Sequence, residues 1–186
     1  MFTLNKNFGV LNLNDPENQL LDLRSNDKSF LFKNGILFGK SLAFYKSLVE
    51  KKNKKIRWAI GSIYLKGKVF RQIPEKKILK DIKNISEFLF NLIGYIKIKD
   101  FAIEIIFFEK IIKAIIKRNK KVFYFDYYFL NKFKISEAIL FSILTYLGFT
   151  KIAGTQKVSY WIKKKINHSK SSYNKDSPFY VLKKLQ

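Results

Sequence analysis

The residues of this chain with the clearest chemistry are its lysines. Lys and Arg number 37 against 14 Asp and Glu, which gives a formal net charge of +23 at pH 7. This excess is far larger than solubility requires, and it indicates a polyanionic partner. Lysine neutralises phosphate as a point charge, and only four of the basic residues are Arg. The composition therefore favours contacts to a phosphate backbone over reading of base edges.

The basic residues are concentrated in two segments. Residues 50–80 hold eleven basic and two acidic side chains, and residues 151–186 hold nine lysines against Asp176. Tyr160, Trp161 and Tyr173 lie in the second segment and can stack on unpaired bases, although each can equally anchor the chain end to a core. The alternative for the lysines is a plain coat of surface charge from an AT-rich genome.

The sequence gives little support for a catalytic site or a metal site. The chain has no Cys and His168 is its single histidine, so thiolate sites and a typical zinc site are excluded. Glu104, Glu109 and Glu137 fit helix-surface positions, where we expect ion-pair partners. Asp126 lies inside an aromatic run and is interpreted as a strand-end or interface residue rather than a catalytic acid. We therefore expect no enzyme, no cofactor and no metal.

Hydrophobic periodicity places the first basic segment on strands and turns. Residues 56–65 are rich in β-branched and aromatic types and predict a strand, followed by a turn at Gly67. Two further apolar runs, 78–82 and 85–93, predict a hairpin.

Two helices are predicted further along. Asp100 can cap a helix over 101–118, whose last turns are basic. Ser136 can cap a second helix over 138–147, which ends with Gly148 as its C′ residue. The strands predicted around these helices are 122–130, an aromatic run that must be covered on both faces, and 150–158.

These elements predict an α/β fold in the order β-β-β-α-β-α-β, a mixed β-sheet of about five strands with two packed helices. Residues 57–158 form the predicted α/β domain. Residues 1–56 are predicted to be an N-terminal extension, with a short helix or strand over 35–50, and 159–186 a basic C-terminal tail.

Membrane insertion and targeting are not expected. The apolar run 101–116 is too charged to cross a bilayer, and 138–150 is too short. The first residues show neither a secretory nor a transit-peptide pattern, which favours synthesis inside the organelle if the protein works in one.

A series of short patterns runs through residues 57–160 in a fixed order. Residues 61–84 read GSIYLKGKVFRQIPEKKILKDIKN, and Gly94-Tyr95, Lys97, Lys99 and Phe101-Ala102 follow. Lys120-Lys121, Glu137-Ala138-Ile139 and Leu147-Gly148-Phe149 continue the series. The ordered set resembles the eleventh small-subunit ribosomal protein family, although no single motif in it is specific.

Three segments depart from the family pattern. The glycine- and proline-rich turn before the second helix is replaced by Asn-Lys-Phe-Lys-Ile at 131–135. The family's Asn-Asn-Thr turn corresponds to Arg71-Gln72, and its His-Asn-Gly-Cys-Arg-Pro tail to Ser-Tyr-Trp-Ile-Lys at 159–163. A diverged organellar copy with an added N-terminal extension accounts for these differences.

The resemblance implies a structural constituent of an organellar small ribosomal subunit, with the mitochondrion as the expected organelle. It implies a place on the platform near the mRNA exit. The implied partners are small-subunit rRNA, neighbouring ribosomal proteins at the N-terminal extension, and mRNA nearby. The expected RNA-binding residues are Lys66, Lys68, Arg71, Lys97 and Lys99 at the turns, and Lys157, Tyr160, Trp161, Lys163, Lys164, Lys165, His168 and Lys170 in the tail.

Two other functions stay open. A basic accessory subunit of a membrane respiratory complex would bury its apolar helices against membrane subunits and place its lysines on anionic lipid heads. An RNA-processing enzyme is the third candidate, but it should show paired acids or metal ligands that this sequence lacks.

Overall fold

A computed structural model describes residues 8–14, 25–64, 73–80, 82, 85–118, 122–124, 127–155 and 158–163. The protein has a mixed α/β fold, as the sequence predicted. The strands of the described residues form three separate three-stranded sheets, and every pairing within them is antiparallel. The prediction of one mixed sheet of about five strands is therefore wrong, because each sheet of the described residues contains only three strands, which follow one another in chain order.

The first sheet lies inside the predicted N-terminal extension. It contains β1 (Val10–Asn12), β2 (Ile36–Phe38) and β3 (Leu42–Tyr45), with β3 in the centre. Helix α1 (Ser25–Lys33) precedes β2, and the short helix α2 (Lys46–Val49) follows β3 directly. The predicted helix or strand over 35–50 is thus a hairpin followed by a helical turn.

Helix α3 (Lys51–Tyr64) replaces the strand predicted over 56–65. Ile56, Ile60 and Ile63 recur at helical spacing and share one exposed face, whereas Arg57 and Gly61 lie on the buried side. The β-branched composition favoured a strand, but the spacing was that of a helix.

The second sheet contains β4 (Ile78–Lys80), β5 (Tyr95–Ile98) and β6 (Phe101–Glu104), with β6 in the centre. Strand β4 confirms part of the run predicted over 78–82. The strand predicted over 85–93 is wrong, because Glu87–Leu92 form helix α4, which is followed by Gly94 at φ +81°. Glu87 lies in the first turn of α4, where a negative charge favours the helix.

Helix α5 (Ile105–Arg118) begins later than predicted. Residues 101–104 belong to β6, and Asp100 lies with Lys99 in the turn of the β5–β6 hairpin rather than at a helix cap. Phe101, Ala102 and Ile103 are buried between two partner strands, which explains why the whole segment looked apolar enough for one helix.

The third sheet contains β7 (Val122–Tyr124), β8 (Phe149–Thr155) and β9 (Val158–Lys163), with β9 in the centre. The strand predicted over 122–130 stops at 124, and Tyr127–Phe133 form helix α6. Strand β8 confirms most of the strand predicted over 150–158. Strand β9 was not predicted; it crosses the proposed boundary at 158/159, just as α3 crosses the boundary at 56/57.

The ends of two helices show contrasting chemistry. Helix α7 (Glu137–Tyr146) is capped by the Ser136 hydroxyl and followed by Gly148 at φ +80°, and both were predicted. Helix α6 ends instead with Lys134 at φ 51°. The amides of Lys134 and Ile135 donate to the carbonyls of Asn131 and Leu130, which is the Schellman arrangement that glycine usually completes.

The main core joins the first sheet to the later helices. Its buried side chains include Val10, Leu42 and Phe44 of the first sheet together with one whole face of α5. The described part of residues 1–56 therefore shares a core with the rest of the chain. A second cluster surrounds Leu89 and Phe90 of α4.

Glu109 of α5 fastens the first sheet to this core. Its carboxylate accepts hydrogen bonds from the backbone amides of Lys40, Ser41 and Leu42 at 2.6, 3.1 and 2.9 Å. Burial raises the pKa of Glu109 above its usual value, although the three amide bonds act in the opposite direction. The interpretation of Glu109 as a surface ion-pair partner is thus corrected: its role is to bind backbone amides of the β2–β3 turn.

Candidate nucleic-acid interface

An exposed basic and aromatic surface lies where α5 ends and α6 begins. The guanidinium carbon of Arg118 is 5.0 Å from the ring centroid of Phe129, so the last turn of α5 contacts the first turn of α6. Tyr127 and Tyr128 precede Phe129 and are 71% and 68% exposed. We call this surface the α5–α6 patch; its residues are Lys117, Arg118, Tyr127, Tyr128 and Lys132.

Local sequence explains why these side chains face outward. The last turn of α5 carries Lys117 and Arg118, where positive charge favours the negative end of the helix dipole. Helix α6 buries Phe129 and Leu130 in the main core, which turns Tyr127, Tyr128 and Lys132 toward solvent. The patch is therefore the polar face of two helices whose apolar faces are fixed by the core.

The electrostatics of the patch are strongly positive. The described residues of α5 and α6 include one carboxylate, that of Glu109, and it is bound by the amides of residues 40–42. The basic side chains can therefore neutralise phosphates while the tyrosine rings offer flat surfaces for bases. This combination is typical of binding to single-stranded or looped RNA.

Two of the turn residues predicted to bind RNA, Lys97 and Lys99, differ in exposure. Lys97 is half-buried, and its ammonium donates to the carbonyl of Ile85 at 2.8 Å, which ties β5 to the start of α4. Lys99 is exposed at the tip of the β5–β6 hairpin with φ 51°. The structure therefore leaves Lys99 available to a partner, whereas Lys97 already binds the protein.

The remaining predicted residues lie in strand β9 or outside the described residues. Tyr160, Trp161 and Lys163 belong to β9, whose register pairs Tyr160 with Tyr124 and Trp161 with Phe123. Outside the described residues lie Lys66, Lys68, Arg71, Lys157, Lys164, Lys165, His168 and Lys170.

Sequence reasoning missed the α5–α6 patch. It placed Tyr127 and Tyr128 inside a strand hidden on both faces, but their helix exposes them. A signal was present: Tyr128 and Lys132 are four residues apart, as are Tyr127 and Asn131, so each pair shares a helical face. The aromatic run that begins at Val122 favoured a strand and outweighed that spacing.

Comparison with protein-family models, curated proteins and solved structures gives no match to this chain. Among the described residues, no group of three or more His, Cys, Asp or Glu side chains is placed to hold a metal ion. The described helices also include none that is long and apolar enough to span a bilayer. The α5–α6 patch is thus the arrangement from which a function can best be inferred.

Proposed function

We propose that this protein binds ribosomal RNA as a structural constituent of an organellar small ribosomal subunit. The observation that supports RNA binding is the α5–α6 patch, where Tyr127 and Tyr128 lie exposed beside the basic end of α5. The net charge of +23 adds a general attraction to polyanions. In this proposal the protein has no catalytic role.

The mechanism is charge neutralisation combined with stacking. Lys117, Arg118 and Lys132 displace counterions from closely spaced phosphates, and the two tyrosines stack on bases that a loop leaves unpaired. The helices below are held by the main core, so these groups keep their positions when RNA binds. Lys99, at the hairpin tip, provides a further exposed cation.

The ribosomal setting comes from the resemblance described above. The mitochondrion is the proposed organelle, and the platform near the mRNA exit is the proposed location. Neighbouring small-subunit proteins would contact the first 56 residues, in which α1 presents Phe30 and Phe32 to solvent.

RNA binding is tested by its dependence on salt. Fluorescence anisotropy with a labelled RNA stem-loop should show an affinity that falls steeply with salt concentration. The slope of log K against log[salt] is negative, and the double variant Lys117→Gln/Arg118→Gln should make it shallower by about 1.4. Each lost contact to a single-strand phosphate removes roughly 0.7 from its magnitude. Lys28→Gln/Lys33→Gln on α1 is the matched control, and an equal loss of slope in the control would contradict a role for the patch.

The ribosomal setting requires a separate measurement. The tagged protein, expressed in its source cells, should sediment with the small ribosomal subunit at low salt and leave it at high salt. Sedimentation with free protein or with membranes would contradict the ribosomal assignment and leave the RNA affinity of the patch to be judged by the anisotropy data.

A second candidate is supported by the exposed apolar face of α3. Ile56, Ile60 and Ile63 are exposed beside Lys52 and Lys55, which is the pattern of a helix that lies on an anionic membrane surface. An accessory subunit of a membrane respiratory complex would use such a face. Flotation with anionic liposomes tests it: Ile60→Ser should abolish flotation if the candidate is correct and should not change RNA binding.

A further inference from the structure

A cavity beside α3 contains a buried arginine with unused hydrogen-bond donors. The cavity has a volume of about 480 Å³ and lies between the start of α3, residues 73–75 and the α4–β5 junction. Arg57 lines it and is 9% exposed. One of its terminal nitrogens, Nη2, donates to the carbonyl of Leu48, whereas Nε and Nη1 are buried with no partner.

Unused donors on a buried guanidinium are unusual, because burial removes their hydrogen bonds to water and no protein acceptor takes the place of the water. Leaving such a charged group unsatisfied costs more than leaving a neutral one, and buried arginines are normally paired with carboxylates. Glu50 lines the same cavity, but its carboxylate accepts from the side-chain amide of Asn53 at 2.8 Å and lies 3.8 Å from Lys52. Arg57 is therefore equipped to receive an acceptor from outside the chain.

A second cation is fixed on the cavity wall. The ammonium of Lys54 donates to the carbonyl of Pro74 and to the hydroxyl of Tyr95, which is 3.2 Å away. The Tyr95 hydroxyl in turn donates to the carbonyl of Lys76 at 2.7 Å. Burial lowers the pKa of Lys54. These two hydrogen bonds fix the position of the Lys54 ammonium and leave one of its three donors for a further acceptor.

The rest of the lining indicates what kind of anion would fit. Ile73 and Ile93 supply apolar wall, while the carboxylates of Glu75 and Glu104 can accept hydrogen bonds from hydroxyl groups. The donors Nε and Nη1 lie on different edges of the guanidinium, so one phosphoryl group can accept from only one of them. The other two oxygens of a phosphoryl group remain to accept from a second cation such as Lys54. The volume is in the range of small-ligand sites.

We propose that this cavity binds a small phosphate ester that bears hydroxyl groups, with the phosphoryl group on Arg57 and Lys54 and the hydroxyls on Glu75 and Glu104. A nucleoside monophosphate and the phosphorylated end of an RNA both present this chemistry. The site stands independently of the α5–α6 patch, because it uses a different part of the structure and different residues.

Calorimetric titration of the full-length protein tests the site. Uridine 5′-monophosphate should bind saturably with one site per chain, and uridine, which lacks the phosphate, should not. Arg57→Gln should weaken binding roughly tenfold to a hundredfold and Lys54→Gln by a smaller factor. Lys46→Gln, an exposed lysine outside the cavity, is the control and should bind as the parent does.

The variants also separate binding from folding. Circular dichroism reports whether Arg57→Gln is folded; if it is not, Lys54→Gln provides the decisive comparison because Lys54 is only half-buried. Equal affinity for uridine and its monophosphate, or unchanged affinity in the folded cavity variants, would overturn the proposal, as would the absence of saturable binding.

Two short RNAs distinguish the sources of the phosphate. If the ligand is an RNA end, a 5′-phosphorylated hexanucleotide should compete with the monophosphate, and its 5′-hydroxyl counterpart should not. If the ligand is a free nucleotide, the monophosphate should bind and neither RNA should displace it. Loss of stem-loop binding in the α5–α6 variants should leave all of these results unchanged.

Discussion

Two positively charged regions of this protein use the same residue types in opposite ways. In the α5–α6 patch the cations are exposed beside exposed rings, and the core holds only the apolar faces beneath them. In the α3 cavity, Lys54 and Arg57 are drawn inward and bound to backbone carbonyls. Burial therefore decides whether a basic side chain can meet a large polyanion or only a ligand small enough to enter.

The largest expected effect concerns the wall of the cavity. Gly94 has φ +81°, and a Cβ there would lie 2.5 Å from the carbonyl oxygen of Leu48, which also accepts from Arg57. Gly94→Ala should lower the free energy of unfolding by about 3 kcal/mol, through both backbone strain and a clash with backbone. Urea denaturation measures this loss.

Gly35 provides the matched control for that substitution. It has φ +79°, but a Cβ there would meet nothing within 4 Å. Gly35→Ala should therefore cost only the left-handed backbone penalty, about 1 kcal/mol. Equal losses at the two positions would show that the close approach of Leu48 to Gly94 does not restrict the chain.

The next effect is on the patch. Tyr127→Ala/Tyr128→Ala should weaken binding of a looped RNA by about 2 kcal/mol, roughly thirtyfold, because stacking on each ring is lost. The free energy of unfolding should change little, since both rings are exposed. Phe30→Ala/Phe32→Ala removes two rings that are 65% and 63% exposed on α1 and should leave RNA affinity unchanged.

A smaller effect is expected at the end of α6. Lys134 occupies a left-handed position, so Lys134→Gly should raise the free energy of unfolding by about 0.5 to 1 kcal/mol. Lys132→Gly, inside the same helix, should lower it by about 1 kcal/mol. Thermal denaturation of the pair checks the opposite signs, and destabilisation by both substitutions would refute the left-handed conformation of Lys134.

The smallest effect is a pH dependence at Glu109. Because burial raises its pKa in the folded state, its contribution to stability is present below the usual value of 4.5 and is lost as pH rises through the folded pKa. The stability of the parent relative to Glu109→Gln should therefore fall as pH increases from 4 to 8. Urea denaturation across this range measures the difference, with Glu137→Gln as a control for loss of one charge. A stability difference between the parent and Glu109→Gln that grows with pH would mean that folding lowers the pKa of Glu109.

Sequence patterns predicted the parts of the fold that are set locally. The Ser136 cap, the Gly148 end of α7 and strand β4 depend on neighbouring residues, and all three are present. The patterns failed where tertiary contacts override composition. Residues 101–104 form a central strand because β4 and β5 flank them, and β4 is distant from them in sequence.

The candidate sites were harder to predict than the fold class. Tyr127 and Tyr128 could have been found from their helical spacing with Asn131 and Lys132. The cavity could not, because the roles of Arg57 and Lys54 depend on carbonyls contributed by Leu48 and Pro74, which only the folded chain brings to them. Lys97 shows the reverse case, a basic side chain that is bound by the protein itself.

The contact between Glu109 and the β2–β3 turn also sets an order of events during synthesis. The amides of residues 40–42 are synthesised long before the carboxylate that accepts their hydrogen bonds, so these three bonds cannot form until α5 has left the exit tunnel. We expect a nascent chain released before residue 109 to exchange those amide hydrogens rapidly, and one released after α5 to protect them.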